Sequence, residues 1–115
     1  MRIACAEAMS KPPLPAIARW PEGVWDIEPF AHGSMSLVLF TPRGIDYQSA
    51  HDQDELYFVL KGSGVLLIEG TRHPFVAGDA LFVAAKKEHR FEEFSPDLVT
   101  WAVFWGPKGG EAAEP

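Results

Sequence analysis

Between Met35 and Trp105, short apolar runs alternate with turn residues at intervals of roughly eight to twelve positions, the rhythm of a β-sandwich or barrel. Seven runs rich in valine, leucine, isoleucine and aromatic residues predict strands at 35–40, 55–61, 64–69, 71–75, 80–83, 89–94 and 99–105. The breaks between them, Gly62-Ser63-Gly64, Glu69-Gly70 and Gly78-Asp79, each supply a residue that tolerates a positive φ. No stretch keeps a 3.6-residue apolar period, so helix is expected to be scarce, and no internal repeat interrupts the body. Residues 50–60 carry one ambiguity, because His51 and Glu55 lie four apart and could share a helix face. The run Leu56-Tyr57-Phe58-Val59-Leu60, followed by Gly62, favours a strand there.

The ends read differently from the body. Pro12, Pro13, Pro15, Pro21 and Pro29 exclude a continuous helix at the start and predict an extended arm over residues 1–19, anchored by Trp20 and Trp25. Residues 106–115 hold no large apolar side chain that would fix them and predict a mobile tail. The 115 residues suffice for one domain, and its folded body is expected over residues 20–105.

Composition narrows the partners. Hydrophobic residues make up 47 % of the chain, enough to build a core, and the formal net charge is -6 with lysine and arginine scattered. Such a surface disfavours nucleic acid and anionic membrane. Cys5 is the sole cysteine and has no partner for an internal disulfide. Glu7 falls where a secretory segment would be apolar, and no apolar run reaches transmembrane length, so a cytoplasmic protein is expected.

The candidate chemistry starts at Glu55. Strand alternation puts Glu55, Tyr57 and Val59 on one face and Leu56, Phe58 and Leu60 on the other, both largely apolar. A carboxylate entering a barrel there loses hydration and needs a cation or donors. His51, just before this strand, and His89, at the start of a later one, would meet it if the sheet curls closed. Two imidazoles and a carboxylate form a three-ligand set suited to one divalent iron, manganese, nickel or zinc ion. The residues alone leave a second reading open, in which His51 and His89 are surface or hydrogen-bonded core histidines.

The stretch His51-Asp52-Gln53-Asp54-Glu55, continuing through Lys61-Gly62, resembles the first signature of the cupin superfamily. Gly78-Asp79, with His89 eleven positions after the glycine, resembles the second. The likeness covers about residues 44–105 and implies an all-β fold, a double-stranded β-helix, that is, a jelly-roll-like antiparallel barrel, usually dimeric. It also implies that the first signature supplies two metal-binding histidines and a glutamate and the second one further histidine. By position, His51 is the second histidine, Glu55 the glutamate and His89 the last. Ser49 stands where the first is expected, and Ala84 and Glu93 depart from the usual proline and asparagine. A three-ligand site with an extra open position is favoured over a lapsed site, with Gln53 or Tyr47 considered as replacement ligands and set below their plain structural roles.

The resemblance implies a metal-dependent enzyme of dioxygenase, isomerase or lyase type acting on a small oxygenated metabolite. The alternatives are a non-catalytic metal or small-molecule binding module and a structural dimer without metal. In the enzymatic reading His51, Glu55 and His89 hold the metal, and Tyr57 and Gln53 orient substrate. Parity assigns Tyr57, Phe91 and Trp101 inward positions, leaves Phe82 and Phe104 undecided, and leaves His32 and His73 exposed.

Overall fold

A computed structural model describes residues 1–112 of the chain. One short helix, α1 (Cys5–Met9), precedes eight strands: β1 (Asp26–His32), β2 (Met35–Phe40), β3 (Asp54–Lys61), β4 (Ser63–Ile68), β5 (Thr71–Val76), β6 (Ala80–Val83), β7 (His89–Glu92) and β8 (Val99–Trp105). All seven expected strands are present, and β3 resolves the ambiguity at residues 50–60 in favour of a strand. The strands form two antiparallel sheets, one of order β1-β2-β8-β3-β6 and one of order β5-β4-β7. Between them lies a core in which the Phe91 ring packs edge-on against Tyr57 at 5.0 Å and Phe75 at 5.4 Å. This is the expected all-β barrel. Among the described residues no helix is long and apolar enough to cross a membrane.

Strand β1 was not foreseen, because Pro29 lies within it. The strand accommodates a residue without an N–H by standing at the sheet edge and slipping register between Ile27 and Phe30, which leaves Glu28 and Pro29 out of the ladder. The arm also departs from a fully extended path: residues 1–11 lack proline, and Cys5–Met9 close one helical turn. Beyond it Leu14 bridges Val24, and Trp20 is buried against Phe40. Trp25 is half-buried, with the Arg43 guanidinium 5.0 Å from its ring centroid.

Trp101 does not point inward. It pairs with Phe58, which is 42 % exposed on the outer face, and it packs with Leu39 and Val99 beneath Ala8 of α1. The helix thus hides an apolar strip outside the barrel, which erased the polar–apolar contrast that parity relies on. Ala102 and Phe104 of the same strand face inward, opposite Tyr57 and Glu55. Phe82 pairs with Leu56 on the outer face and is 54 % exposed. His32 and His73 are exposed, as expected.

The segment read as a mobile tail hydrogen-bonds to the barrel over its first part. The Gly106 amide donates to Ser34 Oγ at 3.1 Å, Gly109 to the Asp52 carbonyl at 2.7 Å, and Glu111 to Asp54 Oδ2 at 2.9 Å. Residues 113–115 of that segment lie outside the described residues.

Candidate metal centre

Three elements bring the site together. Glu55 is the second residue of β3, its side chain turned inward by the alternation that also turns Tyr57 inward. His89 opens β7, across the barrel in the other sheet. His51 lies on the loop before β3, where its carbonyl accepts a 2.6 Å hydrogen bond from the Lys86 amide. Each of the three offers a ligand atom within 4.8 Å of the other two.

Glu55 Oε1 lies 3.1 Å from His89 Nε2 and 3.9 Å from His51 Nε2. Glu55 and His89 are almost wholly buried, whereas the His51 side chain is about a third exposed at the cavity. Among the described residues neither Glu55 Oε1 nor His89 Nε2 has a hydrogen-bond partner outside this pair. On the other side of its ring, His89 Nδ1 is 2.9 Å from the Lys87 carbonyl, which accepts only, so Nδ1 carries the hydrogen. In the neutral ring Nε2 is then a bare lone pair facing a carboxylate oxygen. Two acceptors this close, removed from water, require a cation between them. A proton or a metal ion meets the requirement, and the donor set of two imidazoles and a carboxylate fits a divalent transition metal.

The titration behaviour follows from the same contacts. Burial opposes a charge on His89, but Glu55 beside it, the Lys87 carbonyl and Asp46 outweigh burial and raise its pKa above the ordinary 6.5. His51 moves the other way, held down by burial despite the attraction of Glu55. Tyr57 is raised well above 10 by burial, with Glu55 and Asp46 adding to the effect, so its hydroxyl keeps its proton at neutral pH.

The site opens into a cavity of about 700 Å³. Val38, Phe40, Ala102 and Phe104 give it an apolar wall, and the Phe104 ring stands 4.8 Å from the His51 ring. Arg19, from the arm, reaches the mouth and donates to Ser49 Oγ. Gln53 and Tyr57 both line the cavity. The Gln53 amide nitrogen donates to the carbonyls of Ser34 at 2.8 Å and Gly106 at 2.9 Å, and the Tyr57 hydroxyl donates to Gln48 Oε1 at 3.0 Å. Tyr47 is turned away, its hydroxyl donating to Glu22 Oε1 at 2.8 Å and its ring packed on Trp20.

Two residues here had no signal in the pattern of the chain. Asp46 is buried and accepts from the Phe91 amide at 2.8 Å and from the Gln48 backbone amide at 2.9 Å. Gln48 donates its side-chain amide to the same carboxylate and brings Oε1 to 3.4 Å from His51 Nε2. Both lie on a loop without periodicity, where only the contacts made after closure reveal a role.

A family model described as the Cupin domain matches residues 36–104. The chain is 33 % identical over 75 residues to an uncharacterised protein of Streptomyces coelicolor, an alignment spanning 65 % of this chain and 71 % of that one. Its fold is similar to that of KdgF from Halomonas sp., at TM-score 0.59 and 20 % identity over 72 % of this chain and 78 % of the other. A Cupin 2 conserved barrel domain protein from Salinispora arenicola gives TM-score 0.59 at 19 % identity, covering 70 % and 74 %. The DMSP lyase DddQ from Ruegeria pomeroyi gives TM-score 0.59 at 26 % identity, covering 68 % of this chain and 41 % of that one.

Proposed function

The chain belongs to the cupin domain family, and from that premise we propose that it is an enzyme holding one divalent transition metal through His51, Glu55 and His89 and acting on a small oxygenated acid. The observation that carries the reading is the convergence of His51, Glu55 and His89 inside the barrel, with Glu55 Oε1 and His89 Nε2 buried 3.1 Å apart and, among the described residues, without a hydrogen-bond partner outside this pair. A surface histidine would not be held in such a contact.

When bound, a divalent metal supplies Lewis acidity toward a coordinated substrate oxygen and, if redox-active, a route to dioxygen chemistry. The protein's part is to fix the ligands and the approach. The Lys87 carbonyl holds the His89 ring by its Nδ1–H, keeping Nε2 free as a donor atom. Arg19 gives the mouth a cation for a substrate carboxylate. With the Tyr57 hydrogen and the Gln53 amide nitrogen already engaged, each offers a substrate an acceptor oxygen, which orients a hydroxyl. The Phe104, Phe40 and Val38 side chains exclude water from one side. The reaction class is dioxygenase, isomerase or lyase, and the likeness to a DMSP lyase at 26 % identity supports the last.

The protein is further proposed to work in the cytoplasm as a homodimer. Cys5 without a disulfide partner and the acidic composition support the location. Phe58, Leu60 and Phe82, exposed on the outer face of β3 and β6, support the dimer, since a self-complementary apolar face is what two-fold pairing covers. Light scattering on wild type and Phe82→Asp measures it, a dimer reduced to monomer being the expected result.

The test of function is metal analysis of untagged protein followed by a screen of small hydroxy- and keto-acids with metal-loaded wild type and Glu55→Gln. About one equivalent of metal and turnover lost in the variant are expected. Metal without turnover would leave a binding module, and a folded wild type that takes up no metal would overturn the site.

A further inference from the structure

The ligand set has a gap at Ser49, whose hydroxyl accepts from Arg19, and the residue beside it carries an oxygen aimed at the same space. We propose that Gln48 Oε1 is the fourth protein ligand of the metal. The inference rests on His51, Glu55 and His89 being a metal site and goes beyond it by adding a residue that the spacing of the signatures does not indicate.

The amide of Gln48 has one allowed orientation. Its backbone N–H and its side-chain nitrogen both donate to the buried Asp46 carboxylate, which is itself tied to the Phe91 amide. Turning the amide over would set Oε1 against that carboxylate, so Oε1 must face the cavity. A carbonyl-type oxygen has two lone pairs. The Tyr57 hydroxyl takes one at 3.0 Å, and Tyr57 is fully buried, so the arrangement is built rather than incidental.

Among the described residues the second lone pair has only a poor partner. The nearest donor candidate is His51 Nε2 at 3.4 Å, beyond the roughly 2.7–3.2 Å of an ordinary N–H···O bond. That separation suits two ligands of one ion. Atoms each about 2.1 Å from a common metal lie about 3.0 Å apart at a right angle and about 3.4 Å apart at a tetrahedral one. The Glu55–His89 contact at 3.1 Å and the Gln48–His51 contact at 3.4 Å both fall in this interval. The Glu55–His51 distance of 3.9 Å is longer, and the partly exposed His51 ring is the member free to adjust. Gln48 therefore makes a site of two nitrogens and two oxygens, a harder set than three imidazoles and a carboxylate and better matched to manganese or iron(II).

The experiment uses the full chain stripped of metal and reloaded with Co²⁺, whose visible bands report its ligands. Affinity is measured by competition with a chelating dye for wild type, Gln48→Leu, Gln48→Glu and His51→Ala. Gln48→Leu should weaken Co²⁺ binding about 10- to 100-fold and shift the bands, and Gln48→Glu, which sets a carboxylate oxygen against Asp46, should shift the bands as well. Weaker binding of Gln48→Leu with wild-type bands would mean that Gln48 only positions its neighbours, and the inference would be wrong. If Gln48→Leu does not fold, Gln48→Glu decides, wild-type affinity and bands in that variant overturning the proposal. Loss of Co²⁺ in His51→Ala with none of these changes at Gln48 defeats this inference alone, whereas a wild type that binds no Co²⁺ defeats the three-ligand site with it.

Discussion

Glu55 Oε1 and His89 Nε2 face each other at 3.1 Å inside the barrel, both buried and, among the described residues, without a hydrogen-bond partner outside the pair. Since His89 Nδ1 donates to the Lys87 carbonyl, the contact in the neutral state is acceptor against acceptor. The structure thus holds a place for positive charge, for which, on the proposed function, a proton and a metal ion compete.

That competition makes Glu55→Gln informative. An amide at this position can donate to His89 Nε2, so at pH 8 the metal-free variant should melt no lower than metal-free wild type. Metal should stabilise wild type by about 2.7 kcal/mol at a hundredfold excess over Kd, on the order of 10 °C for a domain of this size. The variant should gain little. Thermal melts with and without metal measure both, and an equal metal response in the two proteins would remove Glu55 from the ligand set.

The pH dependence has opposite signs in the two states. His89 has a folded pKa above 6.5, so in metal-free protein its pairing with Glu55 contributes stability that is fully present below the unfolded value. That contribution is lost as pH rises through the raised folded value. Metal affinity rises over the same interval, because the ion must displace the His89 proton. Urea unfolding across this range should show metal-free stability falling with pH while the metal-induced increment grows. A metal increment that does not change with pH would contradict the shared position.

Legibility in the sequence followed physical contrast. Strands β2 to β8 announced themselves because turn residues bound each apolar run, and His51, Glu55 and His89 could be named as candidate ligands because they stand at positions that the resemblance to the two cupin signatures marks, the residues alone leaving the choice open. Strand β1 was hidden because Pro29 argues against a ladder, and only the edge position with its slipped register reconciles the two. Trp101 was misassigned because both faces of β8 are apolar, the outer one being covered by Ala8 of α1, a contact between residues far apart in the chain. Asp46 and Gln48 were invisible for a similar reason, since an aspartate and a glutamine in a loop look like ordinary surface polarity until Phe91 and Tyr57 close over them.

Asp46 supports both fold and site. Asp46→Ala removes the acceptor for the buried Phe91 amide and for both donors of Gln48. Leaving a buried donor unpaired costs about 1–3 kcal/mol, so the variant should lose roughly 2–4 kcal/mol in urea unfolding. Its metal affinity should fall as well, because Gln48 is no longer oriented. A variant of wild-type stability would mean that the loop re-satisfies these amides in another way.

The last test restores what the resemblance leads one to expect. Ser49 and His51 are two residues apart on a loop and both line the cavity, as alternate positions of an extended segment do. Ser49→His therefore presents a second imidazole on the side where His51 already points. Arg19 works against it, because the guanidinium that donates to Ser49 Oγ would lie beside the new ring. Ser49→His alone should raise metal affinity by about tenfold, and Ser49→His with Arg19→Ser by more, a non-additive pair because the two residues touch. The result also bears on Gln48. If the fourth position is already filled by its Oε1, the gain from Ser49→His should be larger in a Gln48→Leu background than in wild type. Equal gains in the two backgrounds would show that the imidazole and the amide oxygen do not compete for one coordination position.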